Sequence, residues 1–396
     1  MDYDNKKKEN EKKIKKYIKN MPSGIVDFYP YYIQLEHTNR CNAQCIMCNH
    51  SYIGNNGAQD VAKEIIKKIE PILPYCQVLM LNGDGEPFLC ENIEKYLKLY
   101  RQYGIRVGTN TNLCGISPAL MNNIGDYIDY LNVSCDGCTK KIFEGIRRGL
   151  NFEYFIQQLQ ILNKVAPGLK KSLDCVIMIQ NITQVVEMVR FAVEFGFSTI
   201  KFNMLGVNPC IGNDQDSLFN YPNVATYYLK EAVEEAHRLG IDIIYPEIFA
   251  GIINEEKLEK ELVQVLSYDW SGVNKRILVS KHKFSASLLT GNYLNQRVTL
   301  NSLTNCGISA PEICQWSVER CYIDLEGNVS TCCYNVHHYM GNILEVDSFD
   351  KIWNGENYQQ FRLNMKQGIL PQWCKNCGYY WNKVRTNFVG DNGLIN

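Results

Sequence analysis

Short apolar runs alternate with amphipathic stretches between about residues 31 and 245 of the chain. Six of these runs have the length and the β-branched and aromatic content that are typical of strands. They are residues 31–36, 77–81, 105–109, 130–134, 172–178 and 199–203. The stretches between them have helical periodicity: in residues 93–103, apolar side chains recur at positions 93, 96, 97 and 100. The pattern therefore predicts an α/β domain in which βα units build a parallel sheet.

Polar and glycine residues follow the ends of five of the predicted strands. They are a group of cysteines after the first strand, residues 83–87, 109–112 and 134–137 after the next three, and Asn203 with Leu205 after the sixth. In a barrel, the carboxyl ends of parallel strands meet at one rim, which carries the active site. We therefore expect the five loops to form a single site.

The pattern becomes less regular after the predicted sheet. Residues 255–265 predict a helix, but the rest of the segment 247–312 mixes polar and apolar residues, and we treat it as an insertion or linker of unknown role. Beyond it, residues 321–324 and 329–333 predict a hairpin around Glu326, Gly327 and Asn328. Residues 358–366 predict a further helix.

Composition narrows the class of protein. The chain has 396 residues, of which 45% are hydrophobic, and a formal net charge of -1. This length allows two domains, and the balanced charge gives no electrostatic case for nucleic acid. No apolar run approaches the ~18 residues of a membrane span, so we expect a soluble protein without a membrane partner. The Lys-rich run 6–19, within an N-terminal extension 1–25, lacks a secretory signal and is expected to be a solvated tail or a frayed helix.

The chain has 17 cysteines. Without a secretory signal, this number favours reduced thiols and thiolate ligands over disulfides, so we expect a reducing cytoplasm. Three of the cysteines, Cys41, Cys45 and Cys48, have the spacing C-x3-C-x2-C. Three thiolates on a short loop can hold three irons of a [4Fe-4S] cluster and leave the fourth iron open to a substrate or cofactor. A zinc site completed by His50 and three unrelated buried thiols are the alternatives.

This spacing, with the apolar Met47 before the last cysteine, resembles the radical S-adenosylmethionine (SAM) superfamily. The resemblance implies a partial (β/α)6 barrel over residues 26–246 and a [4Fe-4S] cluster whose open iron chelates SAM. Reductive cleavage of SAM would give a 5'-deoxyadenosyl radical that removes a hydrogen atom from the substrate. A reduced flavodoxin or ferredoxin is the electron donor that this chemistry implies.

The loop after the second predicted strand is similar to the superfamily's GGE motif, which receives the amino group of SAM. Its residues are Gly83, Asp84, Gly85, Glu86 and Pro87. Asp84 stands where a second glycine is common. Glycines let the backbone approach a ligand closely, and a glutamate can accept hydrogen bonds from an ammonium group. Residues that resemble contacts of the SAM ribose and carboxylate are Asn112, Ser134 and Arg147.

A second group of cysteines lies in the region 313–396. The group is Cys314, Cys332, Cys374 and Cys377. Together with the signatures around Asp324, Gly327 and Gly341, it resembles the SPASM domain or its shortened twitch form. The resemblance implies one auxiliary [4Fe-4S] cluster closed by four thiolates, which passes electrons and does not bind SAM. Zinc is the alternative from the spacing alone, and a second auxiliary cluster stays open because three more cysteines are near, Cys306, Cys321 and Cys333.

An auxiliary cluster can take an electron from a substrate radical, so we expect a two-electron oxidation. Residues 1–30, which precede the first predicted strand, are few for a leader-peptide recognition domain, and this favours a small polar substrate such as a sugar or aminocyclitol alcohol. The alternatives are a ribosomal-peptide maturase, which cross-links or epimerises a peptide, and a non-catalytic iron-sulfur electron carrier.

Two further groups of residues are candidates for moving protons or hydrogen atoms. An oxidation needs a base, and the candidates by position are His37, Asp136 and Lys201. An epimerisation needs a thiol that returns a hydrogen atom, and the candidates near the rim are Cys90, Cys135 and Cys210.

Overall fold

The computed structural model describes residues 2–54, 57–207, 211–246, 249–276, 279–280, 314–333, 338–369, 371 and 374. Within these ranges the α-helices are α1 (Tyr3–Asn20), α2 (Lys63–Ile69), α3 (Ile93–Gln102), α4 (Pro118–Asn122), α5 (Ile124–Tyr127), α6 (Lys140–Ile146), α7 (Phe152–Val165), α8 (Val185–Glu194), α9 (Pro222–Leu239), α10 (Glu255–Leu266), α11 (Asp350–Trp353) and α12 (Glu356–Lys366). The strands are β1 (Tyr32–Leu35), β2 (Gln44–Cys45), β3 (Ile53–Gly54), β4 (Val78–Met80), β5 (Arg106–Thr111), β6 (Tyr130–Ser134), β7 (Arg147–Arg148), β8 (Lys170–Ile177), β9 (Thr199–Met204), β10 (Asp242–Ile244), β11 (Val279–Ser280), β12 (Arg320–Ile323), β13 (Asn328–Ser330) and β14 (Tyr339–Asn342).

Ten of the described strands form one sheet, in the order β10-β9-β8-β6-β5-β4-β1-β12-β13-β14. The pairs from β10 to β12 are parallel, and the last two pairs are antiparallel. The predicted α/β fold with a parallel sheet is confirmed: the six predicted strands correspond to β1, β4, β5, β6, β8 and β9. The apolar pattern does not predict β10, a short edge strand whose residues are exposed or half-buried.

One strand end differs from its prediction in a way that matters for the site. β5 does not end at residue 109, because Asn110 and Thr111 pair with Asn132 and Val133 of β6. Asn110 therefore lies within the strand, and its polar side chain is on a face of the sheet that is exposed.

The two faces of the parallel sheet have different chemistry. On one face, alternate residues such as Leu79, Val107 and Leu131 are completely buried in the main apolar core. Burial of this kind is the main stabilising term, at about 25 cal/mol per Å². The opposite face, here called the inner face, begins with an apolar cluster made of Tyr32, Val78, Met80, Tyr130 and Trp316. Toward the carboxyl ends of the strands, the same face becomes polar.

The N-terminal extension is a packed helix, so the expectation of a solvated tail or frayed helix was wrong. In α1, Lys7, Asn10, Ile14 and Tyr17 are buried, and their spacing places them on one helix face. Lys7 Nζ donates a hydrogen bond to the backbone oxygen of Gly104 at 2.6 Å. A lysine can lay its aliphatic stem on apolar surface while its ammonium group reaches a carbonyl. A Lys-rich sequence can therefore form a packed helix.

The C-terminal region continues the same sheet. β12 pairs in parallel with β1, from Tyr32 opposite Arg320 to Leu35 opposite Ile323. The predicted hairpin is formed by β12 and β13, and the helix predicted at 358–366 is α12. α10 likewise confirms the helix predicted at 255–265. The domain boundaries 1–25, 26–246, 247–312 and 313–396 stay predictions, and residues 281–313 lie outside the described part of the chain.

In the ranges that the structure describes, no helix combines the length and apolar character that crossing a membrane requires.

Candidate active site

The cysteine loop follows β1 and contains the three predicted cluster ligands. Cys45 lies in β2 and is buried, Cys41 and Cys48 are half-buried, and Cys48 N donates to Cys45 O at 3.1 Å. Burial raises the pKa of all three thiols, to about 11 for Cys45 and about 12 for Cys48. A bound iron supplies the positive charge that removes such protons. The donor set therefore fits a metal cluster and would be inert without one.

A single zinc ion fits this loop less well. Among the described residues, no three Cys, His, Asp or Glu side chains converge as the ligands of one ion do. His50, the proposed fourth zinc ligand, has its Nε2 at 2.6 Å from the backbone oxygen of Asn39. An iron-sulfur cube does not need convergence on one point, because each thiolate binds a different iron. The geometry thus favours the cluster over zinc.

A buried ion pair lies next to the middle cysteine of the loop. β2 and β7 pair so that Cys45 lies opposite Arg147, and Arg147 Nη1 is 3.9 Å from Cys45 Sγ. Arg147 Nη2 is 2.7 Å from Asp136 Oδ2, and both side chains are buried. Asp136 Oδ1 also accepts a hydrogen bond from Val176 N at 2.7 Å. Asp136 therefore positions Arg147 and is not available as the predicted base, and Arg147 places a positive charge beside a cluster ligand.

The glycine-rich loop packs directly on the backbone that leads into the cysteines. A Cβ atom on Gly85 would lie 2.7 Å from the backbone oxygen of Arg40, which is too close for a carbon atom. The same oxygen accepts a hydrogen bond from Glu86 N at 2.7 Å. The glycine is therefore required here by close approach of two backbones.

Glu86 holds three loops together. Its Oε1 accepts from Thr111 Oγ1 and its Oε2 from Asn112 N, each at 2.7 Å. Asn112 Nδ2 donates in turn to Asn42 Oδ1, in the cysteine loop, at 2.8 Å. Burial raises the pKa of Glu86 to about 7. The predicted contacts of Glu86 and Asn112 with SAM stay predictions; the structure places both residues beside the cysteine loop.

The other predicted SAM contacts lie around the same loops. Asp84 N donates to Glu36 Oε1 at 2.7 Å, and burial raises the pKa of Glu36. Pro87 is buried at the start of a short 3-10 turn. Ser134 is the last residue of β6 and lies opposite Asp174 of β8.

A second buried arginine reaches the cysteine loop from the segment of unknown role. Arg276 Nη1 donates to the backbone oxygen of Ile46 at 2.6 Å, and its Nη2 forms an ion pair with Asp216. The Arg276 and Asp216 side chains are 4% and 1% exposed. Val273 and Trp270 pack in the same apolar cluster as Ile46. Part of the 247–312 segment thus covers the cysteine loop.

The polar part of the inner face is a hydrogen-bonded row across four neighbouring strands. Asn132 Nδ2 donates to Asn110 Oδ1 at 2.8 Å, and Lys201 Nζ donates to Asn132 Oδ1 at 2.9 Å. Ser172 Oγ lies 2.7 Å from Asn132 Oδ1 and 2.8 Å from Asp174 Oδ1. Lys201 Nζ is 3.9 Å from Asp174 Oδ1. We call these five side chains the polar row; of the three predicted bases, Lys201 belongs to it.

His37 and two of the predicted thiol donors are not part of the site. His37 is completely buried, with Nδ1 2.8 Å from Leu35 O and Nε2 2.8 Å from Tyr100 Oη. Burial lowers its pKa to about 4, so it is a neutral structural histidine. Cys90 and Cys135 are buried in the main apolar core, with 3% and 0% of their surface exposed. The structure therefore does not support these three roles, and Cys210 lies outside the described residues.

Two of the predicted auxiliary ligands lie against the inner face. Cys314 and Cys332, together with Cys333, pack on the apolar cluster around Trp316. Cys374 N donates to the backbone oxygen of Pro371 at 2.9 Å, whereas Cys377 and Cys306 lie outside the described residues. Cys321 is completely buried in the main core. Of the predicted ligands, Cys314 and Cys332 are thus on the same side of the sheet as the polar row.

Sequence comparison identifies two domains. The radical SAM superfamily matches residues 35–192, and SPASM, an iron-sulfur cluster-binding domain, matches residues 314–378. The chain contains a radical SAM domain and a SPASM domain. Its radical SAM domain binds a [4Fe-4S] cluster and SAM, and its SPASM domain binds auxiliary iron-sulfur. No curated protein matches the chain by sequence.

Solved structures with a radical SAM fold resemble the chain at low sequence identity. Streptococcus suis SuiB bound to the precursor peptide SuiA is 16% identical, with a TM-score of 0.56 over 93% of this chain and 73% of SuiB. The protein anSMEcpe with bound AdoMet is 18% identical, with a TM-score of 0.56 over 89% of this chain and 87% of that one. BtrN in complex with AdoMet and 2-DOIA is 14% identical, and the match covers 89% of this chain and 94% of BtrN. Its TM-score of 0.43 is too low to support a shared fold. These likenesses concern the fold alone.

Motif spacing misses several residues of this radical SAM site. Asn110, Asn132, Ser172 and Asp174 belong to no recognisable signature, and Arg276 lies in a segment without a pattern. A usable signal was nevertheless present: polar residues recur at every second position of strands that otherwise look fully buried. Such alternation in a parallel strand indicates a face that is not covered by helices.

Proposed function

We propose that this radical SAM protein is an oxidoreductase that removes two electrons from a small polar substrate. When bound, the SAM cluster and SAM supply a 5'-deoxyadenosyl radical for hydrogen abstraction, and an auxiliary cluster accepts one electron. The chain's own residues hold these groups and exclude water from them. Cys41, Cys45 and Cys48 hold the first cluster, and Cys314, Cys332, Cys374 and Cys377 hold one auxiliary cluster.

One observation carries this proposal. The polar row and the apolar cluster that packs on Cys314 and Cys332 lie on the same face of the same sheet. A substrate held by the polar row would therefore share that face with Cys314 and Cys332. An electron carrier has no substrate to bind, so it would not require a row of polar side chains on this face.

The test uses the full chain, purified and reconstituted with iron and sulfide without oxygen. Reduced flavodoxin or ferredoxin, with dithionite as the chemical reference, should convert SAM to 5'-deoxyadenosine. Cys45→Ala should abolish this product, and Cys138→Ala, which changes a half-buried cysteine outside both proposed clusters, should not. A protein with full iron content that leaves SAM intact would be an electron carrier, and a protein with zinc only would end the proposal.

A peptide substrate is the second candidate, because SuiB and anSMEcpe have been solved with peptides bound. The reaction type separates the remaining possibilities. Turnover in heavy water that places one deuterium on carbon, without an oxidised product, would indicate epimerisation. Burial of Cys90 and Cys135 in the core does not favour either of them as the thiol that an epimerase needs beside its substrate.

A further inference from the structure

The polar row contains one pair of opposite charges that keeps unused hydrogen-bonding capacity. Lys201 and Asp174 have side chains that are 12% and 19% exposed, at a separation of 3.9 Å. Lys201 Nζ uses one of its three hydrogens on Asn132 Oδ1, and Asp174 Oδ1 accepts from Ser172. Within the described part of the chain, Asp174 Oδ2 receives no hydrogen bond. The pair can therefore both donate to and accept from one further polar group.

A group that donates and accepts at the same atom suits this pair best. A hydroxyl can donate to Asp174 and accept from Lys201, since it has one hydrogen and two lone pairs. A carboxylate would be repelled by Asp174, and an ammonium group by Lys201. The pair therefore favours a neutral hydroxyl over a charged group.

Electrostatics connect the pair to the first cluster site. The positive charge of Arg147 acts on Asp174, and Arg147 Nη1 is 3.9 Å from Cys45 Sγ. Ser134, the cross-strand neighbour of Asp174, ends the strand beside the loop that carries Asp136. Burial raises the pKa of Asp174, so its carboxylate takes up a proton more readily than an exposed aspartate would. Asp174 is thus within electrostatic reach of the arginine beside Cys45, and its carboxylate can accept a proton.

Resting on the proposed function, we propose that Asp174 and Lys201 bind a hydroxyl on the carbon that is oxidised and that Asp174 accepts its proton. The C–H bond breaks and its hydrogen atom leaves to the adenosyl radical. The O–H bond breaks and its proton goes to the Asp174 carboxylate, while one electron leaves to the auxiliary iron-sulfur cluster. Two protons and two electrons have then left the H–C–O–H unit, which becomes C=O. Lys201 stabilises the oxygen while its proton is lost.

The substrate class that follows is a carbinol. Two sources offer it: a small cyclic polyol or aminocyclitol, and a seryl side chain in a peptide. We expect the small molecule, because the row is closed below by the apolar cluster around Tyr130 and Trp316. The experiment therefore contains an arm for each source.

The probes are an inositol and an aminocyclitol with deuterium on every carbinol carbon, and a tripeptide with a central serine deuterated at Cβ. Each is incubated at high concentration with the reconstituted full chain, SAM and dithionite. We expect the cyclic probes to give monodeuterated 5'-deoxyadenosine and a ketone. Label from the serine peptide alone would place the carbinol on a peptide and overturn the choice of a small molecule. SAM cleavage without label from any probe would overturn the carbinol assignment and leave the proposed function standing, whereas no SAM cleavage at all would overturn the proposed function.

Two variants test the roles of the residues. Asp174→Asn keeps the shape but not the base, and should lower the ketone formed per 5'-deoxyadenosine by at least about tenfold, within the usual range for a general base. Lys201→Met should lower the labelling of 5'-deoxyadenosine at low probe concentration. Asp126→Asn and Lys230→Met, which change exposed residues outside the row, are the matched controls and should behave as the unchanged protein. An unchanged ratio in Asp174→Asn, or weaker SAM binding by equilibrium dialysis in that variant, would show that Asp174 is not the substrate's base.

Discussion

Two buried arginines fix the cysteine loop to the rest of the molecule. Arg147 lies beside Cys45 and is held by Asp136, and Arg276 binds Ile46 O and Asp216. Each charge is buried together with a partner of opposite sign. Removal of one partner leaves the other charge unpaired in a place of low polarity, which is strongly unfavourable. The position of the loop thus depends on residues that the C-x3-C-x2-C motif does not contain.

Arg276→Met is expected to lower the free energy of unfolding by about 3 to 5 kcal/mol, the usual cost of breaking a buried pair. It should also lower iron retention, because Ile46 O loses its donor. Urea unfolding of the apoprotein and the iron content after reconstitution measure the two effects. Arg238→Met removes an ion pair with Glu235 in which the arginine is 64% exposed, and should change little. An unchanged urea midpoint for Arg276→Met would mean that the pair does not hold the loop.

His37 should make stability depend on pH. Its pKa is about 4 in the folded chain because of burial, against about 6.5 in an unfolded one. Between these values the unfolded state binds more protons, so stability is complete above pH 6.5 and falls as the pH drops toward 4. The loss amounts to about 3 kcal/mol at most. Urea unfolding of the apoprotein at pH 7 and 5 should show a smaller difference for His37→Gln than for the unchanged chain.

The control for this prediction is His237→Gln, a change of an exposed histidine in α9. It should keep the full difference between pH 7 and 5. If His37→Gln also kept it, acid destabilisation would have to come from other groups.

At the scale of elements, strands and loops pack so closely that small changes matter. The loop 83–87 and the backbone before Cys41 touch at Gly85, and Glu86 joins both to the end of β5. This contact makes the geometry of the loop 83–87 depend on the geometry of the cysteine loop. A change in one loop should therefore appear in the other.

Gly85→Ala is expected to separate these loops, since its Cβ would lie 2.7 Å from Arg40 O, a backbone atom that cannot give way cheaply. We expect at least a tenfold loss of 5'-deoxyadenosine formation together with lower iron content after reconstitution. Gly251→Ala is the matched control, because a Cβ there meets no atom within 4 Å. Full iron content and full SAM cleavage in Gly85→Ala would show that the two loops do not need this contact.

Much of the fold could be predicted from the sequence because parallel strands are buried on one whole face. Apolar runs identified β1, β4 and β6 to within a residue or two at each end. The predictions of strand ends and of burial failed where one residue type occurs in two structural settings. The sequence around Asn110 resembles a strand end, although Asn110 lies within β5 and pairs with β6. Lys7 has the charge of a solvated residue, although its side chain is buried on one face of α1. Spacing predicted the cluster cysteines, but the pairing of Asp174 with Lys201 needed three dimensions, because Lys201 comes from the neighbouring strand.

At the scale of the whole molecule, the radical SAM region and the C-terminal region share one sheet. β12 supplies the neighbour that β1 needs on one side, and all four residues of both strands are buried. Further contacts join the first residues of the chain to the last helices: Trp353 Nε1 donates to Phe28 O at 2.9 Å, and Arg362 Nη1 to Gly24 O at 3.0 Å. The radical SAM region and the SPASM region are therefore parts of one structural unit.

A chain that stops after residue 312 should aggregate or be rapidly digested, because β1 would become an exposed apolar edge strand. Far-UV circular dichroism and limited proteolysis measure this. The matched control divides the chain at the same place but keeps both parts. Residues 1–312 and 313–396, expressed together as separate chains, should co-purify. A well-folded, monomeric 1–312 fragment with native protease resistance would show that the shared sheet is dispensable.

The pairing of β1 with β12 also concerns the order of events during synthesis. Tyr32 pairs with Arg320, so its strand is flanked on both sides only after β12 has left the ribosome. Contacts between such distant positions form slowly, because a long loop has to close before they stabilise anything. The nascent cysteine loop would therefore stay accessible until β12 has been synthesised, and delivery of iron and sulfide to it is best timed after β12 has left the ribosome.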